Sequence, residues 1–187
     1  MRIIRDIIQK HNGKLTCAEC QLYRAIKDRI GKAHGLVEWQ DGLTKEAFID
    51  EFQTLQGVYA REFCLFDGAK ETLRAVVESG KKNYLYTHSG AVVYEIMEHM
   101  GISQYFIHVL DASQGFPSKP APDALNSLIE RFDLEPHECV MIGDRPIDTA
   151  AGDNAGMQSC LFDTDGFFPD TPSTYRIDTL LDLKKLI

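Results

Sequence analysis

The sequence predicts an α/β protein in which a parallel sheet is covered by helices on both faces, with a small all-helical unit before it. Two patterns support this prediction. From residue 66 onward, amphipathic helices alternate with short apolar strands bounded by Gly, Pro and Asp, and this alternation is typical of parallel sheets. Before residue 66, every segment has helical periodicity. We therefore expect two domains, over residues 1–65 and 66–187.

The first part contains recognisable signals for where helices begin and end. A first helix is predicted from isoleucines at positions 3, 4, 7 and 8, and Asn12-Gly13 is its expected end. Thr16 and Glu19 have the spacing of a capping box, in which a hydroxyl and a carboxylate bind the free N–H groups of a first helical turn. Thr44 is expected to cap a further helix.

The second part is predicted to contain four helices and four strands in alternation. Three of the helices end at a glycine, namely Gly80, Gly101 and Gly156, which favours a sharp helix end. The predicted helices cover residues 69–79, 91–100, 122–132 and 147–155, and the predicted strands cover residues 84–86, 106–110, 139–142 and 159–162.

The composition narrows the class of partner. The net charge of −8 argues against a nucleic-acid backbone or an anionic membrane as the main partner. No apolar run reaches the roughly 18 residues that span a bilayer, and residues 1–10 lack the features of a signal peptide.

The five cysteines are scattered, so a disulfide framework is not expected. Cys17 and Cys20 form a lone CxxC, interpreted as helix residues, with a zinc or redox role as the alternative. We expect a cytoplasmic protein.

Polar residues follow two of the predicted strands. Thr87, His88 and Ser89 follow the first strand and open a helix, where hydroxyls and free backbone N–H groups suit an anion such as phosphate. Lys119 follows the second strand and lies between prolines at positions 117 and 120, which restrict the backbone around it. The alternatives are helix caps for the hydroxyls and a solvated loop position for the lysine. Ligands of open parallel sheets bind at the carboxyl ends of strands, which permits a functional role, but each group taken alone is better explained by its structural alternative.

Two carboxylates follow the third strand. Asp144 stands at the strand end after Gly143, and Asp148 is four residues further on, in the first turn of a helix. Both can face one point, and Mg²⁺ takes one or two carboxylates together with water and substrate oxygens. The alternative is a helix cap with a surface acid, but the Gly-Asp pair directly after an apolar strand favours the metal site.

Taken together, these segments resemble motifs two, three and four of the haloacid dehalogenase (HAD) superfamily. The resemblance rests on a strand ending at Thr87, on Lys119 between prolines before a helix, and on VMIGDRPIDTAAGDNAGM at residues 140–157. It is strongest to the phosphoglycolate phosphatase-like subgroup. Members of that subgroup carry a small helical cap, and residues 1–65 resemble it. The resemblance implies a HAD-like Rossmannoid core.

The resemblance also implies a role for each residue. Thr87 would hydrogen-bond the phosphoryl oxygens, with His88 and Ser89 at the same substrate site. Lys119 would neutralise charge on the nucleophile and the phosphoryl group. Asp144 would hold Mg²⁺ with the support of Asp148. Arg145 stands where many members of the superfamily carry a small hydroxyl residue, which we interpret as subgroup variation.

One family motif is not found in the sequence. Members of the superfamily begin with an apolar strand that ends in Asp-x-Asp-x-Thr. The first Asp attacks phosphorus, and the second protonates the leaving group and later activates water. Asp6 lies on a segment of helical periodicity, without a second acid two residues later. Asp163 and Asp165 do follow an apolar strand, but they come after motif four and are interpreted as a loop. By resemblance, the missing strand would lie between the strands that end at Thr87 and at Asp144.

The resemblance implies that the parent protein is a Mg²⁺-dependent phosphohydrolase that acts on a small phosphorylated metabolite through an aspartyl-phosphate intermediate. We expect the chain as given to lack turnover, because the nucleophile motif is missing. A non-enzymatic HAD-like protein that binds an anion and Mg²⁺ or regulates another protein is the alternative, and an expression fragment or misplaced gene start is the third. The coding sequence upstream of Met1 would discriminate among them.

Overall fold

The computed structural model describes residues 1–187 and places them in two units, Met1–Glu62 and Phe63–Ile187. No helix in either unit combines the length and apolar character needed to cross a membrane.

Four helices form the first unit. They are α1 (Arg2–Lys10), α2 (Glu19–Asp28), α3 (Ile30–His34) and α4 (Lys45–Val58). Their apolar faces meet in one core, because the isoleucines of α1 recur at helical spacing and therefore lie on one side of the helix. The buried residues of this core are Ile3, Ile4, Ile7, Leu22, Ala33 and Phe48.

The first unit also contains a short antiparallel pair of strands, so the prediction of an all-helical unit is corrected. Strand β1 (Lys14–Leu15) pairs with β2 (Val37–Glu38). Gly13 permits the close approach of the two segments, since an added Cβ would lie 2.7 Å from Val37 Cγ1. Strands of two residues are too short to show the alternation that predicts a strand from sequence.

The two predicted helix starts in this unit have different outcomes. The Thr44 cap is confirmed, because its hydroxyl accepts from the Ala47 N–H at 3.2 Å. The capping box at Thr16 and Glu19 is wrong. Helix α2 begins at Glu19, and the Thr16 hydroxyl instead donates to the Leu36 carbonyl at 2.9 Å, beside the short strand pair.

The second unit has the predicted alternation. In chain order its elements are α5 (Ala69–Glu78), β3 (Asn83–Tyr86), α6 (Val92–His99), β4 (Phe106–Leu110), α7 (Asp123–Phe132), β5 (Val140–Gly143), α8 (Pro146–Asn154), β6 (Gln158–Phe162) and β7 (Tyr175–Ile177). Every predicted boundary from α5 to β6 lies within one residue of the observed one. Strand β7 is an addition to the prediction.

All strand pairs of the second unit are parallel, as predicted, but they form two separate ladders. One joins β3 to β4, and the other joins β5, β6 and β7 in that order. Strand β6 is buried from Ser159 to Phe162, whereas Ile142 of β5 is 41% exposed and every residue of β3 is half-buried. An additional strand between β3 and β5 remains a prediction.

Helices cover both faces of these strands, which confirms the predicted class. On one face, α7 and α8 pack against residues of both ladders, including Leu110 and Met141. On the other face, α5 and α6 pack against β3 and β4, and Val93, Met97 and Val109 are buried there. Because neighbouring strand residues point to opposite faces, β3, β4 and β5 each contribute to two hydrophobic clusters.

Candidate functional site

A buried ion pair lies at the carboxyl end of β3 and β5. Lys119 Nζ is 2.7 Å from Asp148 Oδ1, and the two side chains are 4% and 3% exposed. The same ammonium donates to the Tyr86 carbonyl at 3.3 Å and lies 4.4 Å from the centroid of the Tyr86 ring. The charge of Lys119 is therefore held by a carboxylate, a carbonyl and an aromatic face, which offset the cost of its burial.

The loop between β3 and α6 holds the backbone of Lys119. Its N–H donates to His88 Nε2 at 3.1 Å, so that ring nitrogen acts as the acceptor. In the same loop, the Thr87 hydroxyl accepts from the Ser89 N–H at 3.1 Å, and the Thr87 N–H donates to the Leu110 carbonyl at 2.9 Å. His88 thus links the predicted anion loop to the predicted lysine.

Asp148 carries a second cation. Arg145 Nε lies 3.3 Å from Asp148 Oδ2, and Arg145 Nη2 lies 3.5 Å from Asp148 Oδ1. Arg145 Nε is also 3.9 Å from Asp144 Oδ1. The absence of a side chain at Gly143 makes room for this arrangement, because an added Cβ there would be 2.2 Å from Asp148 Cβ. Asp148 therefore bridges two basic residues from different loops.

These charges shift the titration of the pair. Burial alone would raise the pKa of Asp148, but the neighbouring Lys119 ammonium and Arg145 guanidinium lower it below its usual value. Asp148 is therefore a carboxylate at neutral pH. Burial lowers the pKa of Lys119, and the charge of Asp148 opposes that effect.

The two carboxylates differ in accessibility. The Asp144 side chain is 42% exposed, whereas that of Asp148 is 3% exposed. No group of three or more His, Cys, Asp or Glu side chains is arranged to hold a metal ion. Two carboxylate donors are nevertheless the share that a protein commonly provides to Mg²⁺, with water and substrate oxygens as the other ligands. The donors at Asp144 and Asp148 fit that chemistry.

The structure brings several predicted site residues together. Lys119 is paired with Asp148, and its backbone is bonded to His88. Asp144 is linked to the same cluster through Arg145. Two neighbours were not predicted, namely Tyr86 as a partner of Lys119 and Arg145 as a partner of Asp148. The only available signals were the position of Tyr86 directly before Thr87 and the departure from the family pattern at position 145.

Two other acids have structural partners. Asp163 accepts from the N–H groups of Phe167 and Phe168, at 3.1 and 2.7 Å, and this supports its interpretation as a loop residue. Asp6 accepts from the Tyr59 hydroxyl at 2.6 Å within the first unit.

Comparison with known proteins identifies a common family. The sequence model for haloacid dehalogenase-like hydrolases matches residues 4–156. A phosphoglycolate phosphatase from Vibrio parahaemolyticus is 38% identical over 143 residues, which is 76% of this chain and 61% of that protein. A phosphoglycolate phosphatase from Vibrio vulnificus is 36% identical over 96 residues, or 51% of this chain and 42% of that protein. The chain thus spans about half the length of these curated relatives.

Solved structures share the fold. A HAD phosphatase from Thermococcus onnurineus superposes with a TM-score of 0.68 at 23% identity, covering 90% of this chain and 78% of that one. A predicted phosphoglycolate phosphatase from Haemophilus somnus superposes with a TM-score of 0.79 at 20% identity, covering 98% of this chain and 88% of that one.

Proposed function

The chain belongs to the haloacid dehalogenase-like hydrolase family, and we propose that it carries the phosphoryl-binding and Mg²⁺-binding part of a phosphohydrolase for a small phosphorylated metabolite. The observation that carries this proposal is the buried pair of Lys119 and Asp148 at the carboxyl end of the parallel strands. Relatives that act as phosphoglycolate phosphatases support the substrate class. The helical residues 1–65 would be the cap, and residues 66–187 the core.

Lys119 and Thr87 would bind the phosphoryl group. An ammonium has three N–H donors, and those of Lys119 that bind Asp148 and the Tyr86 carbonyl leave a third for a phosphoryl oxygen. The Thr87 oxygen accepts from the Ser89 N–H, so its own hydrogen can be donated to the substrate. Both contacts place positive charge or donors where negative charge must be stabilised during phosphoryl transfer. His88 would position Lys119 through its backbone.

Asp144 and Asp148 would hold Mg²⁺. When bound, the ion would neutralise charge on the phosphoryl oxygens. Lys119 keeps Asp148 deprotonated by lowering its pKa, and Gly143 leaves room for that carboxylate beside the strand. The protein's own part is thus to fix two carboxylates next to a buried lysine.

The chain as given is proposed to lack phosphatase turnover. The carboxylates near Lys119 are assigned to the metal, while Asp163 and Asp6 are bonded to other groups. No side chain is then assigned to attack phosphorus, and a nucleophile acts as a unit with the groups that stabilise the phosphoryl charge. Phosphate binding without turnover is the expected behaviour.

Phosphate binding and turnover are measured separately. Isothermal titration calorimetry with inorganic phosphate in the presence of Mg²⁺ should show binding by the wild type. Phosphate affinity should fall greatly in Lys119→Met and stay unchanged in the surface control Lys184→Met. Hydrolysis of an aryl phosphate should be undetectable. Failure of the wild type to bind phosphate with or without Mg²⁺ would overturn the proposed function.

If the wild type hydrolyses the aryl phosphate and Asp144→Asn does not, the phosphohydrolase proposal is retained and only the proposed inactivity is refuted. Asp163→Asn is then the next variant to assay. A chain extended by its in-frame upstream coding sequence provides the further comparison. Turnover in that version alone supports the phosphohydrolase, and binding without turnover in both supports the non-enzymatic alternative.

A further inference from the structure

We propose that Arg145 competes with the divalent cation for the Asp148 carboxylate, so that cation binding requires the guanidinium to leave Asp148. This inference rests on the proposed metal role of Asp144 and Asp148. Arg145, which lies between the two carboxylates in sequence, would then set the affinity of the site for the cation.

Both oxygens of Asp148 already face cations. Oδ1 is contacted by Lys119 Nζ at 2.7 Å and by Arg145 Nη2 at 3.5 Å, while Oδ2 is contacted by Arg145 Nε at 3.3 Å. A metal ion that takes an oxygen of Asp148 must therefore displace one of these groups. Binding at Oδ2 would displace the fewest groups, because Arg145 is the one cation paired with that oxygen.

Arg145 is the group that would move when the cation binds. The Lys119 side chain is 4% exposed and is also held by the Tyr86 carbonyl and ring. The Arg145 side chain is 24% exposed, and its contacts with Asp148 are longer than the 2.7–2.9 Å or so of a strong charge-assisted hydrogen bond. The guanidinium is therefore held less tightly than the ammonium and has solvent into which it can turn.

The Arg145 side chain does not stabilise the helix that follows it. It occupies the N-cap of α8, where Ser, Thr, Asp and Asn are preferred because their side chains bind the first free N–H groups. Arg145 makes no such side-chain cap hydrogen bond. Its side chain is directed to Asp148 instead, so its structural contribution is to the charge of the cluster.

The charges of the cluster determine the direction of the effect. Asp144 and Asp148 carry two negative charges, and Lys119 and Arg145 carry two positive charges, so the four side chains are neutral together. Without Arg145 the cluster is negative by one charge. A divalent cation should then bind more tightly, by about tenfold or more, since unit charges at contact distance interact strongly in a partly buried site.

The test is direct cation binding without substrate. Free Mn²⁺ is measured by electron paramagnetic resonance, and Mg²⁺ binding by calorimetry, for the wild type, Arg145→Gln, Arg145→Lys and Asp144→Asn. Arg131→Gln is the matched control, because it removes the same charge from a surface position on α7. We expect Arg145→Gln to bind Mn²⁺ at least about tenfold more tightly, and Arg145→Lys and Arg131→Gln to resemble the wild type.

The outcomes separate this inference from the proposed function. Equal Mn²⁺ affinity in wild type and Arg145→Gln, with binding lost in Asp144→Asn, would overturn the competition and retain the metal site. Weaker binding by Arg145→Gln would also overturn it, since Arg145 would then assist the cation. Absence of Mn²⁺ binding from all variants, Arg145→Gln included, would overturn the metal assignment and the inference together.

Discussion

Replacing Lys119 with Met should destabilise the second unit strongly, because it leaves the Asp148 carboxylate buried without its main partner. Removing one member of a buried ion pair costs about 3–5 kcal/mol. The expected loss is at the lower end, about 3 kcal/mol, because the Arg145 guanidinium still lies 3.3 Å from the same carboxylate. Asp148→Asn should cause a comparable loss, since the buried Lys119 ammonium would lose the negative charge of its main partner.

The double variant distinguishes a true pair from two independent residues. With both Lys119→Met and Asp148→Asn, neither charge of the pair is left unpaired, so the combined loss should be smaller than the sum by about 2 kcal/mol. Urea unfolding followed by far-UV circular dichroism measures all four proteins. Trp39 fluorescence reports the first unit separately, because Trp39 is the single tryptophan of the chain.

A surface ion pair is the control for this measurement. Lys184 pairs with Glu71, and their side chains are 37% and 51% exposed, so Lys184→Met should change the free energy of unfolding by less than about 1 kcal/mol. The reasoning is refuted if Lys119→Met costs no more than Lys184→Met, or if the two losses simply add in the double variant.

Three further predictions concern other parts of the chain. The Tyr84 hydroxyl is buried without a hydrogen-bond partner, so Tyr84→Phe should raise the free energy of unfolding by about 1 kcal/mol; a loss of stability in urea would contradict this. Hydrogen bonds that His11 donates to Asp41 and then to Glu51 raise the pKa of His11, so its contribution to stability is complete below pH about 6.5 and is lost as the pH rises through the raised pKa. The melting temperature of His11→Gln, followed by Trp39 fluorescence, should therefore fall furthest below wild type at acidic pH, and a pH-independent difference would refute the ion pairing. Burial raises the pKa of Cys160 to about 11, so a thiol reagent should label the exposed Cys20 and Cys64 in the folded protein and Cys160 only after unfolding, as peptide mass spectrometry would show.

The second unit was predictable because its local signals agree with its tertiary structure. Gly80, Gly101 and Gly156 adopt positive φ values of 80°, 62° and 74° directly after their helices, a conformation that glycine adopts without strain. The strands of the first unit were not predictable in the same way. Strands β1 and β2 exist because distant segments pair, and Thr16 bonds to Leu36 across 20 residues instead of capping the helix next to it.

The convergence of the site was predictable from topology, while the arrangement of its charges was not. Residues after parallel strands share one end of the sheet, which is how Lys119 and Asp148 come together although they lie 29 residues apart in the sequence. The family resemblance implied Asp144 as the main metal ligand and Asp148 as its support. In the structure Asp148 is the buried carboxylate between Lys119 and Arg145, and Asp144 is the exposed one.

This difference has a chemical consequence for the proposed site. A cation would meet Asp144 first, since that carboxylate is exposed, and would reach Asp148 only by exchanging with Arg145. The affinity of the proposed site would then depend on the residue at position 145 as much as on the two acids. No spacing rule predicts such a dependence, because it would arise from the space left by Gly143 and from the direction that the extended backbone at Arg145 gives to its side chain. A small hydroxyl residue at the same position would cap α8 and leave Asp148 Oδ2 without a guanidinium. With arginine, the four charges of the cluster would cancel. With a hydroxyl residue, the cluster would keep a net negative charge and attract a cation more strongly.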